Sequence, residues 1–330
     1  MRLARFLSFL MLLGGCLLVA SDLRQIGIVN LPGSPGFGES AFANGMLLLT
    51  HPGASAVDVF DPTKRRVIAQ ITGLQAPRSI AVDEQGGKVY VADHGSNSIA
   101  VITTNGWKVV DSIALPDSPD ALLLDAPDNL YWADAENGTV SRLDLHTKQN
   151  VVQVDIQGTP RSLAFDNEGK LLFVTEQDQH QIAVLDPQLK IARRLPLNGS
   201  QPTSLIYDPQ SHELYVAVRS AVLAISPDTG AEIDRVTAPA GVDTLWLDSD
   251  SRTLYAASEG SLLVMSAKGR LAATDTIPMQ VKGHTVAYDP AKRLVLVPGG
   301  REGKSKLLIL RPMNPNAQPG TMEDTQASVR

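Results

Sequence analysis

The chain of 330 residues contains a single cysteine, which excludes both a disulfide framework and a cysteine-rich zinc site. Positive charge is also scarce, because 29 Lys and Arg stand against 35 Asp and Glu for a net charge of −6. This balance argues against a general nucleic-acid binder, which must neutralise many phosphates. Heptad runs are absent, and 26 Gly with 21 Pro are incompatible with a coiled coil. An apolar content of 43% excludes a disordered chain.

The short motifs of common catalytic sites are missing as well. No G-x-S-x-G, H-E-x-x-H or C-x-x-C occurs in the sequence. The stretch Pro298–Ser305 has the Gly, Lys and Ser of a phosphate-binding P-loop, but a strand pattern follows it instead of a helix. We therefore interpret this stretch as a long loop between two strands. The sequence assigns no catalytic residue and no metal ligand, and we expect no cofactor.

Residues 1–20 have the pattern of a secretory signal peptide. Arg2 and Arg5 precede an uncharged, leucine-rich run that is too short to span a bilayer comfortably. We favour removal at the small residues Val19-Ala20-Ser21, whereas the lipobox-like Leu13-Gly14-Gly15-Cys16 leaves a lipoprotein anchored through Cys16 as the alternative. Both routes predict an extracytoplasmic protein, periplasmic or secreted, with no transmembrane span in the mature chain. Its 27 Lys and Arg against 35 acids give a net charge of −8.

An apolar triplet that ends in Asp recurs through the rest of the chain. The copies end at Asp83, Asp125, Asp166, Asp208, Asp248 and Asp289, at steps of 42, 41, 42, 40 and 41 residues. A weaker copy, Ser40–Asn44, lies one period earlier and brings the number of units to seven. Gly, Pro, Ser or Asn follows each Asp shortly, so we interpret these carboxylates as caps of β-turns rather than as calcium ligands.

Every unit has the same internal order of strands. The triplet is followed by a second apolar strand such as Val89–Ala92, a third such as Ile99–Ile102 and a fourth of mixed polarity such as Val67–Ile71. The first strands are apolar on both faces, as buried strands are, and the fourth strands tend towards alternation, as exposed edges do. Four antiparallel strands per blade, repeated seven times, predict an all-β fold, the seven-bladed β-propeller.

The two ends of the repeat region complement one another. The seventh unit lacks a fourth strand, because prolines from Pro312 onward follow its third, whereas Leu23–Val29 has the pattern of an orphan fourth strand. We predict that this N-terminal strand closes the last blade, which removes two open sheet edges. The predicted organisation is a signal peptide over 1–20, a propeller over 21–312 and a flexible C-terminal tail over 313–330.

The repeat resembles a known type. Lys88–Asp93 followed by Ser96–Ile102, and Lys170–Glu176 followed by Gln181–Val184, resemble the YVTN-type repeat of exported YncE-like propellers and surface-layer-like proteins. The resemblance covers about residues 23–311 and implies an extracytoplasmic β-propeller. Members of that family have been linked to binding, including of single-stranded DNA, and structurally similar propellers include lactonases.

Candidate ligand-binding residues follow from the alignment of the units. In a propeller, the loop before the first strand and the loop after the second lie on one face around the central channel, which is the default ligand site. The positions before the first strands hold Glu39, Arg78, Asp120, Arg161, Asp243 and His284. The positions after the second strands hold Asp93, His94, Asp134, Glu176 and Arg219.

The alternation of acids and bases in the first set has several interpretations. One is a polar funnel whose arginines hold a carboxylate or phosphate. Another is a ring of ion pairs that steadies blade against blade. A hard cation on Glu39, Asp120, Asp243 and His284 would resemble the channel of gluconolactonase-type propellers, but the asparagines of that family have no equivalents here.

These residues suggest three functions. The first is an exported, non-enzymatic binding or scaffold propeller that recognises a small ligand or a protein partner at the funnel face. The alternative is a lactonase-like hydrolase or isomerase acting on a sugar lactone through funnel carboxylates with His284 or His94. A single-strand nucleic-acid binder needs a basic groove with exposed aromatics, and the mature charge of −8 argues against it. We expect a monomer.

Overall fold

The computed structural model of the chain describes residues 23–313, which form seven four-stranded antiparallel sheets. The predicted signal peptide, including Cys16, and residues 314–330 of the predicted tail lie outside the described residues. Within the described part, helix is limited to single 3-10 turns at Pro52–Ala54 and His94–Ser96. No helix of this part is long and apolar enough to cross a membrane. The predicted all-β, seven-bladed propeller is confirmed.

The strands are numbered in chain order. Blade 1 contains β2 (Ser40–Ala43), β3 (Met46–His51), β4 (Ala56–Asp61) and β5 (Arg66–Thr72), and blade 2 contains β6 (Pro77–Asp83), β7 (Lys88–Asp93), β8 (Ser98–Thr103) and β9 (Lys108–Ala114). Blade 3 contains β10 (Ala121–Asp125), β11 (Asn129–Asp134), β12 (Thr139–Asp144) and β13 (Gln149–Asp155), and blade 4 contains β14 (Pro160–Asp166), β15 (Leu171–Glu176), β16 (Gln181–Leu185) and β17 (Ile191–Pro196). Blade 5 contains β18 (Ser204–Asp208), β19 (Glu213–Val218), β20 (Ala221–Ile225) and β21 (Glu232–Thr237), and blade 6 contains β22 (Val242–Asp248), β23 (Thr253–Ser258), β24 (Ser261–Ser266) and β25 (Ala272–Pro278). Blade 7 contains β26 (Ala287–Asp289), β27 (Leu294–Arg301), β28 (Lys304–Pro312) and β1 (Leu23–Asn30).

The core consists of apolar layers between neighbouring blades. Along β7, Val89 and Val91 pack into the layer shared with blade 1, whereas Tyr90 and Ala92 pack into the layer shared with blade 3. Successive side chains of a strand point to opposite faces, so a strand between two layers must be apolar at every position. This explains why the inner strands show continuous apolar runs.

The ring is closed by the N-terminal strand, as the sequence predicts. β1 pairs antiparallel with β28, from Leu23 opposite Pro312 to Asn30 opposite Lys306. Ile26 and Val29 of this strand pack in the same apolar cluster as residues of blade 1. The junction between the first and last blades therefore has both a hydrogen-bonded ladder and an apolar layer.

A β-bulge interrupts the outermost strand of every blade. The register between the third and outermost strands shifts near the same end of all seven sheets, as at Ile68 in β5 and Val110 in β9. Bulges twist an exposed strand and disrupt its ladder, which blunts edge-to-edge pairing with other chains. The bulge in each outermost strand thus disfavours aggregation through the exposed edge of that blade.

The recurring Asp caps the turn between the first and second strands. The amide of Gly86 donates to Asp83 Oδ1 at 2.7 Å, and the amide of Lys292 donates to Asp289 Oδ1 at 3.0 Å. The interpretation as turn chemistry is confirmed at these positions.

The predicted long loop at Pro298–Ser305 is wrong. β27 continues to Arg301 and β28 begins at Lys304, so that only Glu302 and Gly303 form the turn. Both have positive φ, 53° and 72°, as a tight hairpin turn requires. The strand can extend because Gly300 exchanges two backbone hydrogen bonds with Lys282, a close approach that the adjacent glycines permit.

Candidate functional site

A cavity of about 750 Å³ opens at the centre of the ring, at the end where the innermost strands begin. We call this side of the ring the cavity face. Six of the sequence-predicted residues line the cavity, one from each of six blades: Glu39, Arg78, Asp120, Arg161, Asp243 and His284. Thr203 contributes the corresponding position of blade 5. The structure thus brings together the whole set that precedes the first strands.

The serine that follows several of these residues bonds its blade to the next one. Ser79 Oγ accepts a hydrogen bond from the amide of Leu122 at 2.9 Å, and Ser162 Oγ accepts one from the amide of Leu205 at 3.1 Å. Each bond joins the innermost strands of adjacent blades and fixes the preceding side chain at the wall of the cavity. The Ser that recurs before several of the apolar triplets, such as Ser79, Ser162 and Ser204, was the available signal for this contact, which the sequence reasoning missed.

Glu39 is the most perturbed acid of the cavity. Ser79 Oγ donates a hydrogen bond to Glu39 Oε2 at 2.5 Å, and the amide of Ile80 donates to the same carboxyl. Burial nevertheless dominates and raises the pKa of Glu39 from 4.5 to about 7, with a smaller contribution from the negative charge of Asp243. Near neutral pH this carboxyl can therefore either donate or accept a proton.

Arg78 and Asp120 form an ion pair between blades 2 and 3. Arg78 Nη1 donates to Asp120 Oδ1, while the amide of Ala135 donates to Asp120 Oδ2 at 2.8 Å. His94 Nδ1 lies 3.5 Å from Asp120 Oδ1, and His94 Nε2 lies 3.6 Å from Glu136 Oε1. The pair of opposite charges fits the interpretation of the ring as interblade ion pairs.

Arg161 departs from that interpretation. Its Nε donates to Gln177 Oε1 at 2.9 Å, and Gln177 also lines the cavity. Among the described residues, no carboxylate lies within ion-pair distance of its guanidinium. Arg161 thus brings to the cavity a positive charge that no neighbouring acid neutralises.

Asp243 and His284 form a second pair across blades 6 and 7. His284 Nδ1 lies 2.7 Å from Asp243 Oδ2, and the two side chains are 49% and 46% exposed. The hydrogen bond to Asp243 raises the pKa of His284 above 6.5, with a smaller contribution from the charge of Glu259. The pair can hold a proton at the mouth of the cavity.

The five predicted residues that follow second strands lie outside the cavity wall. Asp93 accepts hydrogen bonds from the amides of Gln75 and Ala76, and Asp134 accepts bonds from the next loop's amides. Glu176 is buried against Arg194, with Nε to Oε1 at 3.3 Å, and its burial raises its pKa. The second strand lies one layer out from the channel, so these carboxylates organise loops of the cavity face.

His94 and Arg219 complete that set. The His94 ring lies behind Asp120, and Arg219 Nη1 donates to Gln201 Oε1 at 2.9 Å on the cavity face.

A side lobe of about 400 Å³ adjoins the cavity and was not foreseen. It shares Phe37, His284 and Thr285 with the main cavity and extends past Pro35 towards Gly299. Phe37 stacks on His51, with ring centroids 4.1 Å apart. His51 is fully buried and pairs with the buried Asp58 at 2.7 Å, so it supports the wall of the lobe rather than facing it. No periodic pattern marks Phe37, since it lies in the loop before the first full unit.

Metal ligands are not grouped in the part of the chain that the structure describes. Over residues 23–313 no three His, Cys, Asp or Glu side chains lie close enough to hold one ion together. Each acid of the cavity has a separate partner: Glu39 bonds Ser79, Asp120 pairs with Arg78, and Asp243 pairs with His284.

Comparison with known proteins agrees with the repeat pattern. The family model described as NHL repeat matches residues 74–102. Two curated relatives, each described as "Uncharacterized protein YncE", come from Salmonella typhimurium (strain LT2) and Salmonella typhi. Each is 27% identical over 97 residues, which is 29% of this chain and 28% of the relative. The matched segment thus spans little more than a quarter of those proteins.

Two solved structures share the fold. The chain resembles one from Kuenenia stuttgartiensis Hydrazine Synthase at a TM-score of 0.70 and 12% identity, over 84% of this chain and 96% of that one. It resembles one from the Mitotic Checkpoint Complex at a TM-score of 0.75 and 13% identity, over 95% and 99%. At such identities the likeness concerns fold alone. Together with the repeat match and the seven blades, these findings confirm the resemblance to YncE-like propellers.

Proposed function

We propose that this β-propeller is a binding protein that takes a small, singly charged anion with hydroxyl groups into its central cavity. The observation that carries the proposal is the convergence of charged side chains from six blades on one cavity of about 750 Å³. This volume lies within the range of small-molecule sites. The comparisons do not favour the lactonase alternative, since the NHL match and the YncE relatives name no such activity.

Arg161 supports the charge of the ligand. A guanidinium with one N–H bonded to Gln177 retains further donors, and a carboxylate can engage two of them in parallel. Arg78 is less available because Asp120 already holds its Nη1. Among the described residues that line the cavity, Arg161 is a cation without an ion-pair partner beside several acids. This balance favours a monoanion over a polyanion, which the acids would repel.

Glu39 and Asp243 support the hydroxyl groups. Both side chains line the cavity, and carboxylate oxygens accept hydrogen bonds from hydroxyl donors. Glu39 protonated near neutral pH can also donate to a ligand oxygen. The more apolar side lobe beside Phe37 offers room for a carbon chain or ring of the same ligand.

The proposal is tested by titration calorimetry with a panel of monocarboxylates that differ in the number of hydroxyl groups. We expect at least one member to bind, and Arg161→Gln to weaken its binding by about tenfold or more, as loss of a charge-assisted hydrogen bond implies. Arg219→Gln is the matched control, because Arg219 also bonds a glutamine on the cavity face but does not line the cavity.

Two outcomes would contradict the proposal. One is that no member of the panel binds while the protein remains folded. The other is that Arg161→Gln and Arg219→Gln weaken binding equally, which would indicate a general effect of net charge.

We also propose that the protein is exported, on the strength of the signal-peptide pattern in residues 1–20. N-terminal sequencing of the processed protein distinguishes the two routes, because ordinary removal gives a chain starting at Ser21. The lipoprotein route would give a blocked chain starting at Cys16. Recovery of the whole unprocessed chain from the cytoplasm would contradict export.

A further inference from the structure

Both ends of the described chain lie on the face opposite the cavity. β1 begins at Leu23 and β28 ends at Pro312, and these two residues are paired in the ladder. The turn at Glu302 and Gly303, which lines the side lobe, closes the other end of the same sheet. We call the opposite side the far face. The described chain therefore enters the propeller at the far face of blade 7, with Leu23 as its first described residue.

Cations are concentrated on the far face where the chain enters. The strand ends and turns of blades 7 and 1 on this face carry Arg24, Lys64, Arg65, Arg66, Lys292, Arg293 and Arg311. Ile26 of β1 and Val67 of β5 pack in one apolar cluster, which brings the neighbouring Arg24 and Arg66 to the same blade junction. We call this region the basic sector.

Most acids of the basic sector are buried beneath its surface. Asp61 accepts from Lys64 at 3.1 Å, and Asp289 accepts from Lys292 at 3.2 Å, so each neutralises one lysine only. Among the described residues, no carboxylate lies within ion-pair distance of the exposed Arg65 or of Arg66 beside it. The sector is thus positive on a chain whose net charge is negative.

Outside the basic sector, the described surface carries charges of both signs. On the far face of blade 3, His146 pairs with Asp128, both more than 60% exposed. On the cavity face, the exposed Glu259 and Glu302 are paired with Lys282 and Arg301. An anionic surface would therefore attract the basic sector more strongly than the cavity face, so the field of the protein orients it.

We propose that the basic sector docks on an anionic lipid bilayer and holds the mouth of the cavity towards the solvent. The position of chain entry favours a bilayer over a nucleic acid, because any form that keeps an apolar or lipidated N-terminus brings this same face to the membrane. The sector also lacks a base-stacking platform, since the nearby Tyr288 is buried. Lys and Arg beside a bilayer gain from the negative potential of its surface.

Vesicle co-sedimentation tests the proposal directly. Residues 23–312 hold all 28 strands and close the ring, so a chain starting at Ser21 keeps the complete fold without the apolar run. We expect this protein to bind vesicles of phosphatidylcholine with phosphatidylglycerol at low salt, and to bind phosphatidylcholine alone at least tenfold more weakly. Raising the salt should release it, because exposed charges are screened.

The combined variant Arg24→Glu, Arg65→Glu and Arg66→Glu should lose binding to the anionic vesicles at least tenfold. The matched control is Lys88→Glu, Lys108→Glu and Lys190→Glu, which makes the same change of net charge on the far face of blades 2 and 4. Thermal unfolding of both variants shows whether each remains folded. Equal loss in the two variants, or no binding by the parent protein, would overturn the proposal.

The orientation of the protein on the vesicle can be measured with a fluorophore on a single introduced cysteine, because a chain starting at Ser21 has no cysteine of its own. An environment-sensitive fluorophore at Thr63→Cys, in the basic sector, should respond to anionic vesicles, and one at Gln179→Cys, on the cavity face, should not. The reverse response would overturn the proposal. If the protein binds a single-stranded oligonucleotide through the same arginines and does not bind vesicles, the partner of the basic sector is a nucleic acid and not a bilayer.

Discussion

Replacing Glu39 with glutamine should stabilise the protein at neutral pH and above. The change removes a carboxyl whose pKa is raised by burial from 4.5 to about 7, and keeps an oxygen that can accept from the amide of Ile80. Such a difference in pKa between the folded and unfolded chain corresponds to roughly 3 kcal/mol. This is the free energy that the parent protein loses when it must ionise Glu39 in the cavity.

The sign of the pH dependence follows from proton binding. Below about pH 4.5 Glu39 is protonated in both the folded and the unfolded chain, and parent and variant should differ little. Between that pH and about pH 7 the unfolded chain releases the proton and the folded chain retains it. The free energy of unfolding of the parent therefore falls relative to the variant, by up to about 1.4 kcal/mol per pH unit, and the difference levels off above pH 7.

Urea unfolding of the parent and of Glu39→Gln at a series of pH values measures this difference. Glu136→Gln is the control, because it removes an exposed carboxyl from the same face. Ser79→Ala provides a further check: its hydroxyl donates to Glu39 and lowers the pKa, so its removal should move the pH-dependent step upward. A stability difference for Glu39→Gln that is the same at about pH 5 and about pH 8 would refute the reasoning.

Three further changes have defined outcomes. His51→Ala should lower the free energy of unfolding in urea by about 1–3 kcal/mol, because it leaves one oxygen of the buried Asp58 without its hydrogen-bond partner, and adding Asp58→Asn should recover part of the loss. Asp243→Asn should lower the pKa of His284 in an NMR titration. Below pH 6.5 the variant should lose no more than about 1 kcal/mol of the free energy of unfolding, because both side chains are about half exposed. The parent itself loses this stabilisation as the pH rises through the folded pKa of His284. Gly38→Ala should reduce the melting temperature, since a Cβ there would lie 2.3 Å from a backbone oxygen of blade 2. Gly27→Ala, where no atom lies within 4 Å of the added Cβ and φ is not positive, separates this clash from the loss of a glycine.

The architecture could be predicted because every blade repeats the same four-stranded sheet packed between apolar layers. Val89, Tyr90 and Val91 are apolar in succession because β7 has a layer on either side, and that pattern recurs at every second strand. The missing fourth strand of the last unit and the orphan Leu23–Val29 then leave one way to close the ring. Periodicity predicts such features because they arise from local pairing and burial, which repeat.

The site was predictable in part for the same reason. Residues directly before an innermost strand, such as Arg161, line the channel because the strand itself forms its wall. Residues after a second strand, such as Asp93, lie one layer farther out and are used by loop amides. The pair of His51 and Asp58, which joins two strands of blade 1, has no counterpart in the other units, so no repeat could reveal it.

The repeat also explains why its conspicuous residues say little about what the cavity could bind. Ser79 bonds one blade to the next and Asp83 caps a turn, and both residue types recur at these positions in several units. The position before the serine differs in chemistry from blade to blade, since neighbouring blades carry Glu39 and Arg78 there. Specificity of the cavity should therefore reside in the residue that the repeat leaves free, one per blade. The far face follows the same logic, because turn positions beside the capping aspartates can vary in charge without disturbing the ladder. A single fold can in this way set the ligand of one face and the partner of the other independently.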